Sequence, residues 1–392
     1  MKFKLANRLI TIGWSTVNTL SGSVFSVLLS ILVIRYCSKE LWGSMVQILL
    51  WFGLVSHVIY FGNQNLLLRE FSLMPKSISE NWSKCLQSRA LVFILISLVL
   101  FCIPINLKLK LILFLYLAAN FIYRSYDVTI LFKRQFLISL ILEAGGFIII
   151  TTYILIERKN LSLNRLVAVF AAAEVLKTTL IYMIYKSEFK IEGLKPNLAY
   201  FTLALPFFLL EFTGLLQSKT DLICVTSFLQ KDKIAQYQVY INFLLIVQSA
   251  AGFILAPFIK NIYRLNGTSI KKLALIFFGI GLALAFGSMF FINLFIRYFY
   301  HFTIPPITLV AGAFFIIPIY YYTIVIYRMI KSNHQKTIIL LNIAGAIISF
   351  VLNIILIPIC GYGIGGAIFA ISITQWVMLL FYFICSKKLL IQ

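Results

Sequence analysis

Charged residues are scarce in this chain. Only 12% of its 392 residues are Asp, Glu, Lys or Arg, whereas soluble domains average about 25%. Acidic residues are the rarest class, with 12 Asp and Glu against 34 Lys and Arg, and 61% of the residues are hydrophobic. A soluble core has no room for this much apolar surface, whereas a lipid bilayer does. The composition therefore predicts an integral membrane protein.

The chain also lacks the common short signatures of catalysis. It contains no G-x-x-x-x-G-K-[ST] phosphate loop, no H-E-x-x-H zinc motif and no G-x-S-x-G nucleophile turn. Its six cysteines are scattered without a C-x-x-C pair, and its three histidines are far apart in sequence. We therefore expect no metal, no cofactor, no disulfide framework and no enzymatic activity.

What the chain does contain is twelve apolar stretches, each of about the length that crosses a bilayer. The first is longer than the apolar region of a signal peptide, so it is predicted to be a retained helix. Pro206 predicts a kink in the seventh, and the gap 63–87 is predicted to hold an interfacial helix. The predicted spans are 9–34, 41–62, 88–106, 110–132, 136–156, 166–185, 199–229, 234–259, 273–296, 304–327, 338–358 and 363–385.

Basic residues between the spans predict the orientation. If the N-terminus is cytoplasmic, the seven inner segments carry about twice as many Lys and Arg as the six outer segments. Cytoplasmic loops carry such an excess, so both termini are predicted to be cytoplasmic. The same distribution accounts for the net charge of +22 without a nucleic-acid partner.

The second half of the chain repeats the layout of the first. Shifted by 192 residues, the segment 38–45 lies over 230–237, and each segment follows a long apolar helix and opens the next. Six spans in each half predict parallel halves that rock about a shared site, as in carriers. The predicted fold class is an all-α integral membrane protein with about 12 transmembrane helices in two pseudo-symmetric six-helix bundles. The predicted lobes are 1–190 and 191–392.

Charged residues inside the spans are the candidate site, because each is costly in lipid unless it is paired or hydrated. Arg124 and Asp127 are three residues apart on the fourth span, and Glu174 and Lys177 repeat that spacing on the sixth. Both spacings predict pairs on one helix face, with either a structural or a functional role. Glu143 lies beside 145–146, two glycines where another helix can approach closely.

The seventh span carries three further charges close to Pro206. Glu211 and Lys219 lie on one stripe of the helix, and Asp221 lies on a neighbouring stripe with Gln217. Three charges near a proline kink favour function over packing. Arg35 lies at a span end, where its side chain can extend to the membrane interface.

Three regions carry a resemblance to a known family. The chain resembles the O-antigen and polysaccharide flippases of the multidrug/oligosaccharidyl-lipid/polysaccharide exporter superfamily. The first region is Asn18, Ser21 and Gly22 followed by RYCSKELWG at 35–43; the second is Leu205 and Pro206, Asp221 and AQY at 235–237; the third is Asn342, Asn353 and GYGIGGAI at 361–368.

The resemblance implies that the chain moves an undecaprenyl-diphosphate-linked oligosaccharide from the cytoplasmic to the periplasmic leaflet of the bacterial inner membrane. It also implies contact with membrane lipids and other polysaccharide assembly proteins. Such a head group needs a cationic, hydrated lumen, and buried acids can bind a coupling ion. The lumen candidates are Lys219, Arg124, Asp221, Lys177 and Arg35, and the coupling-ion candidates are Glu211, Asp127, Glu143 and Glu174.

Two alternatives remain open from the sequence. An O-antigen polymerase is also polytopic, but that class typically has a large periplasmic loop with catalytic arginines, and the predicted outer loops here are all short. A drug/cation antiporter of the same superfamily would share the fold. The basic net charge favours an anionic substrate.

Overall fold

A computed structural model describes residues 2–74, 77–187, 196–255, 262, 265, 267–332 and 334–390, and these residues form helices and connecting turns without any strand. The predicted all-α class is confirmed. The helices are α1 (Lys2–Tyr36), α2 (Lys39–Tyr60), α3 (Asn63–Leu73), α4 (Ile78–Cys102), α5 (Leu107–Ser125), α6 (Asp127–Lys133), α7 (Phe136–Glu157), α8 (Leu163–Tyr185), α9 (Ala199–Phe228), α10 (Lys231–Leu255), α11 (Gly267–Tyr300), α12 (Pro306–Lys331), α13 (Gln335–Ile354) and α14 (Gly363–Leu390).

Eleven helical segments within the described residues are long and apolar enough to cross a membrane. The chain is thus a multi-pass membrane protein by the length and composition of its helices. Of the twelve predicted spans, the fourth is not among the eleven. Its helix, α5, carries Lys108, Lys110 and Arg124 within nineteen residues, and these charges reduce its apolar character.

The region after α2 departs from the sequence prediction. Phe61 and Gly62 adopt left-handed backbone conformations, with φ of 47° and 65°, and end α2. A Cβ at Gly62 would also lie 2.7 Å from the backbone nitrogen of Phe208, so the turn requires glycine. The predicted helix in 63–87 exists as α3, but its Leu67 and Phe71 are buried in protein. The next span starts at Ile78, ten residues before its predicted start.

Helix boundaries follow the predicted repeat. α1 and α9 end at Tyr36 and Phe228, and α2 and α10 begin at Lys39 and Lys231, so the offset of 192 residues holds at both junctions. Later helices keep the same order at a slightly larger offset, because α11 is longer than α4. Thus α12, α13 and α14 begin 199, 199 and 200 residues after α5, α7 and α8, at Pro306, Gln335 and Gly363.

The chain forms two compact units. The first comprises Met1–Leu41 and Gln47–Phe212, and the second comprises Trp42–Val46 and Thr213–Gln392. The division between the units falls within α9, whereas the predicted lobes 1–190 and 191–392 follow the repeat. The lobes remain a prediction.

A cluster of buried aromatic and aliphatic side chains forms the core of the first unit. Trp82, Tyr126 and Tyr185 pack together in this cluster. The indole nitrogen of Trp82 donates a hydrogen bond to the carbonyl oxygen of Ser125 at 2.8 Å, which ties α4 to the end of α5. The buried rings contribute hydrophobic contact area, and the hydrogen bond of the Trp82 indole satisfies its polar N–H group. Both effects stabilise the first unit.

Tyrosines and small residues organise the second unit. Tyr240 on α10 donates to the Thr308 carbonyl oxygen at 3.1 Å, and Tyr320 on α12 donates to the Val247 carbonyl oxygen at 2.6 Å. A Cβ on Gly312 would lie 2.1 Å from the Tyr240 hydroxyl oxygen, so α12 accepts that ring only because residue 312 has no side chain.

Candidate functional site

Three predicted charges meet between α7 and α8. Lys177 Nζ lies 3.0 Å from Glu143 Oε1 and 2.7 Å from Glu174 Oε2. The predicted Glu174–Lys177 pair is therefore confirmed, and Glu143 is its third member. The side chains of Glu174 and Lys177 are only 7% and 11% exposed. Two carboxylates share one ammonium group, so this triad is net negative when all three groups are ionised.

The close approach of α7 and α8 explains how the triad forms. A Cβ on Gly146 would lie 3.3 Å from Cδ of Lys177 and 3.8 Å from the Cβ of Ala173. The absence of a side chain at Gly146 lets the Lys177 stem cross α7 toward Glu143. The Lys177 ammonium also lies 4.8 Å from the centre of the Tyr123 ring, a distance suited to a cation–π contact.

Arg124 lies beside Arg89, a second arginine that lines the same cavity. Arg89 on α4 is only 1% exposed, and its Nη2 donates to the Ser125 hydroxyl at 2.9 Å. The guanidinium carbons of Arg89 and Arg124 lie 5.8 Å and 5.9 Å from the centre of the Tyr60 ring. In the sequence, Arg89 lies one position inside the predicted third span, 88–106. A count of basic residues in loops therefore assigns Arg89 to the preceding loop.

The predicted Arg124–Asp127 pair, of which both residues are described, does not form a direct ion pair, although the two charges interact electrostatically. The physical reason is a break at Tyr126, where α5 ends and α6 begins with Asp127 in its first turn. The rule that residues three apart share a face applies to a continuous helix.

Glu211 meets two residues from the α2–α3 region. Asn65 Nδ2 donates to Glu211 Oε1 at 2.5 Å, and His57 Nε2 lies 3.8 Å from Glu211 Oε2. In the sequence His57 stands far from the other two histidines, and this spacing indicates no functional role. The structure gives His57 an acidic neighbour from α9, which is 154 residues away in the chain.

The two remaining charges of α9 have different environments. Asp221 is buried and accepts a hydrogen bond from the Tyr237 hydroxyl on α10. It lines a cavity of about 50 Å³ in the second unit together with Gln217, Gln248 and Thr374. Lys219 is half-buried and makes no ion pair with another described residue.

Arg35 is exposed in the last turn of α1. The structure thus brings together Glu143, Glu174 and Lys177, and it leaves Arg35, Lys219 and Asp221 apart from that triad.

The second unit also contains a much larger cavity of about 1020 Å³. Its volume is at the upper end of the range for small-molecule sites. Aromatic rings and amides line it, with Lys233 as the one charged residue among the lining residues. They include Phe228, Gln230, Gln236, Phe302, Tyr362 and Phe369.

Among the described residues, no group of three or more His, Cys, Asp and Glu side chains is arranged to hold a metal ion. The candidate site therefore consists of the Glu143–Glu174–Lys177 triad, several charges outside it and two cavities in the second unit.

Comparison with solved structures identifies the fold. A structure of the lipid II flippase MurJ in an inward closed conformation matches 95% of this chain and 87% of its own, with 16% identity and a TM-score of 0.74. An inward-facing multidrug resistance MATE family transporter of the MOP superfamily matches 97% of this chain and 98% of its own, with 12% identity and a TM-score of 0.69. The chain has the fold of MOP-superfamily transporters.

An outward-facing MATE family transporter of the same superfamily also matches, with a TM-score of 0.63, 11% identity and coverage of 97% of this chain and 95% of its own. No protein-family model and no curated protein sequence matches the chain. At these identities the likeness describes the fold and does not identify the substrate.

Proposed function

We propose that the protein is a flippase that moves an undecaprenyl-diphosphate-linked oligosaccharide, an O-antigen unit or a related one, from the cytoplasmic to the periplasmic leaflet by alternating access. The observation that carries the proposal is the fold, which over 95% of the chain resembles that of a lipid II flippase. The resemblance of the three sequence regions to polysaccharide flippases points to the same substrate class. The activity is transport and not catalysis.

Two cations are suited to attract the diphosphate. Lys219 and Arg124 are each partly exposed and form no ion pair with a described carboxylate. At an effective dielectric of about 20, a cation 4 Å from an anion gains roughly 4 kcal/mol. Lys177 is less suited, because Glu143 and Glu174 already neutralise it. Arg35 and Asp221 remain candidates for contact with the head group.

The glycan part of the head group has a candidate binding surface in the second unit. The cavity of about 1020 Å³ presents aromatic faces and amide groups, which suit the apolar faces and hydroxyls of sugars. Lys233 at this cavity adds a third cation for an anionic substrate. The lipid tail would remain in the membrane while the head group crosses.

The acids supply candidate sites for a coupling ion. Glu211 has a histidine and an amide as neighbours, and Glu143 and Glu174 share one ammonium group. In each arrangement, a proton or cation that binds the carboxylate would weaken the contact between that carboxylate and its partner. Asp127, which has no ion-pair partner among the described residues, is the fourth candidate.

We also propose a location in the bacterial inner membrane with both termini in the cytoplasm, in contact with lipids and other polysaccharide assembly proteins. A reporter fused after Gln392 should be active in the cytoplasm, and a reporter inserted at Asn160 should be active in the periplasm. A periplasmic signal after Gln392 would contradict the proposed orientation.

Substitution of Lys219 tests the proposed function. In cells without the chromosomal copy, Lys219→Ala at normal abundance should reduce surface polysaccharide at least about tenfold, because the head group loses an attractive charge. Lys219→Arg should restore export, since it keeps the charge. Lys331→Ala, on an exposed lysine in the last turn of α12, is the matched control and should leave export unchanged.

A reconstituted assay distinguishes the proposal from drug/cation antiport. Purified protein in vesicles should make a polyprenyl-diphosphate-linked oligosaccharide accessible to a lectin on the opposite side. If cells that express Lys219→Ala keep a normal amount of surface polysaccharide, Lys219 does not bind the head group. Efflux of cationic dyes without lipid transfer would favour the antiporter.

A further inference from the structure

Two arginines line a small cavity inside the first unit, between α2, α4 and α5. We call it the Arg89 cavity. Its volume is about 10 Å³, and it lies next to the Glu143–Glu174–Lys177 triad without including any of the three. Its lining residues are Ser56, Ile59, Tyr60, Arg89, Leu117, Asn120, Phe121 and Arg124. No acidic residue is among them.

Two of the lining residues have buried polar atoms without a hydrogen-bond partner. These atoms are Nε of Arg89 and Oγ of Ser56, in residues that are 1% and 5% exposed. The arginine nitrogen can only donate, and the serine hydroxyl can donate. Buried polar groups in proteins nearly always have a partner, so unpartnered groups at one cavity indicate a missing ligand.

No described carboxylate forms a direct ion pair with the two arginines of the cavity, although the charge of Asp127 acts on Arg124 from a distance. Glu174 accepts a hydrogen bond from the lining residue Asn120 at 3.0 Å, but it is already paired with Lys177. The Tyr60 ring stabilises both guanidinium groups only partly. A buried arginine inside a membrane helix bundle otherwise requires a counter-charge.

The size and the positive charge of the cavity together favour a small anion as the ligand. A volume of about 10 Å³ holds about one water-sized particle. A phosphate or diphosphate group is too large to enter without displacing the lining side chains. We propose that the Arg89 cavity binds one monatomic anion of the halide class, chloride under ordinary conditions. The anion accepts hydrogen bonds from Arg89 and Ser56 and neutralises charge between the two arginines.

This site shares Arg124 with the proposed transport function, but it can be tested apart from that function. The anion would hold α4 against α2 and α5, because its ligands come from all three helices. Its expected effect is therefore on stability, and it can be measured without any transport substrate.

Thermal unfolding of the full-length protein in detergent tests the site. When chloride or bromide replaces gluconate at constant ionic strength, the unfolding temperature should rise saturably by at least about 2 °C, since a ligand that binds only the folded state stabilises it. In crystals grown in bromide, an anomalous peak should lie beside Arg89 Nε.

Three variants make the test specific. Arg89→Gln should abolish the halide effect, and Arg297→Gln, a control on an exposed arginine in the last turn of α11, should retain it. Should Arg89→Gln fail to fold, Ser56→Ala removes one donor and should weaken halide binding about fivefold.

Equal unfolding temperatures in chloride and gluconate would overturn the proposal, as would a halide effect that persists in Arg89→Gln or is unchanged in Ser56→Ala. A stabilisation by sulfate or phosphate as large as that by bromide would also overturn it. That result would contradict the size of the site, and it would indicate a lipid or substrate phosphate as the ligand.

Discussion

The interior of the first unit holds ionisable side chains, whereas that of the second is held mainly by neutral polar groups. The ion pairs of Lys177, Glu211, Lys84 and Arg165 lie in the first unit. In the second unit the interhelical hydrogen bonds come from tyrosines and a tryptophan, and the buried acid Asp221 is satisfied by the Tyr237 hydroxyl. Two units with the same helix order therefore use different chemistry to hold their helices together.

The repeat shows at which positions the two units differ in charge. At 199 residues, Glu143 corresponds to Asn342, and at 200 residues Glu174 corresponds to Thr374. Both positions are polar in each half, but they carry charge only in the first. Charged groups in a low-dielectric interior respond strongly to ions and protons, whereas neutral groups serve mainly packing and hydrogen bonding. The first unit is therefore where we expect ion-dependent behaviour.

Removal of the ammonium group from the triad should have the largest effect. Lys177→Met leaves Glu143 and Glu174 without their cation, and loss of one partner of a buried ion pair costs about 3 kcal/mol. The unfolding temperature in detergent should fall by several degrees. The double change Glu174→Gln with Lys177→Met should recover most of that loss, because it also removes the buried acid. If Lys177→Met alone is as stable as the wild type, the triad does not hold α7 against α8.

Introduction of a charge into the second unit should have the next largest effect. Asn342 is buried, and Asn342→Asp adds a carboxylate of nearly the same shape to a unit whose buried acid Asp221 is satisfied by a neutral hydroxyl. We expect a loss of about 2.5 kcal/mol of stability, the cost of an acidic group in a membrane interior. Glu143→Gln is the reciprocal control and should cost less, because Lys177 keeps Glu174. Equal losses of stability in Asn342→Asp and Glu143→Gln would contradict the difference in buried charge between the two units.

A change in packing should have the smallest effect of the three. Gly312→Ala places a Cβ 2.1 Å from the Tyr240 hydroxyl oxygen, and the ring must move away from Thr308. Such overpacking typically costs 1–3 kcal/mol, and we expect about 1.5 kcal/mol here. Gly145→Ala in the first unit is the matched control, since its Cβ would have no neighbour within 4 Å. An unchanged unfolding temperature in Gly312→Ala would show that the α10–α12 contact is not tightly packed.

Hydropathy predicts where the helices lie, but it misplaces helix ends that carry polar residues. The apolar runs correspond to helices because each backbone group in lipid must find its partner within the same helix. The start of α4 was predicted ten residues late, because its first turns carry Glu80, Lys84 and Gln87. Those turns are helical because Trp82 and Cys85 pack into the protein core, which a window of hydropathy does not register.

The candidate site was predicted in part, and the failures have two causes, a helix boundary and partners from other helices. Glu174 and Lys177 pair because α8 is continuous between them. Arg124 and Asp127 do not, because α5 breaks between them. Arg89 and His57 acquired candidate roles only when other helices placed Ser125 and Glu211 beside them.

The sequence by itself determined that this is a helical membrane protein, how its helices repeat, and which residues carry charge into its interior. Those properties depend on hydropathy and spacing along the chain, which act locally. Only the tertiary structure decided which charges are neutralised and which remain available. Lys177 has two acids, whereas Arg89 and Arg124 share a cavity lined without an acid. Partners of a buried charge come from distant helices, so their identity depends on helix packing.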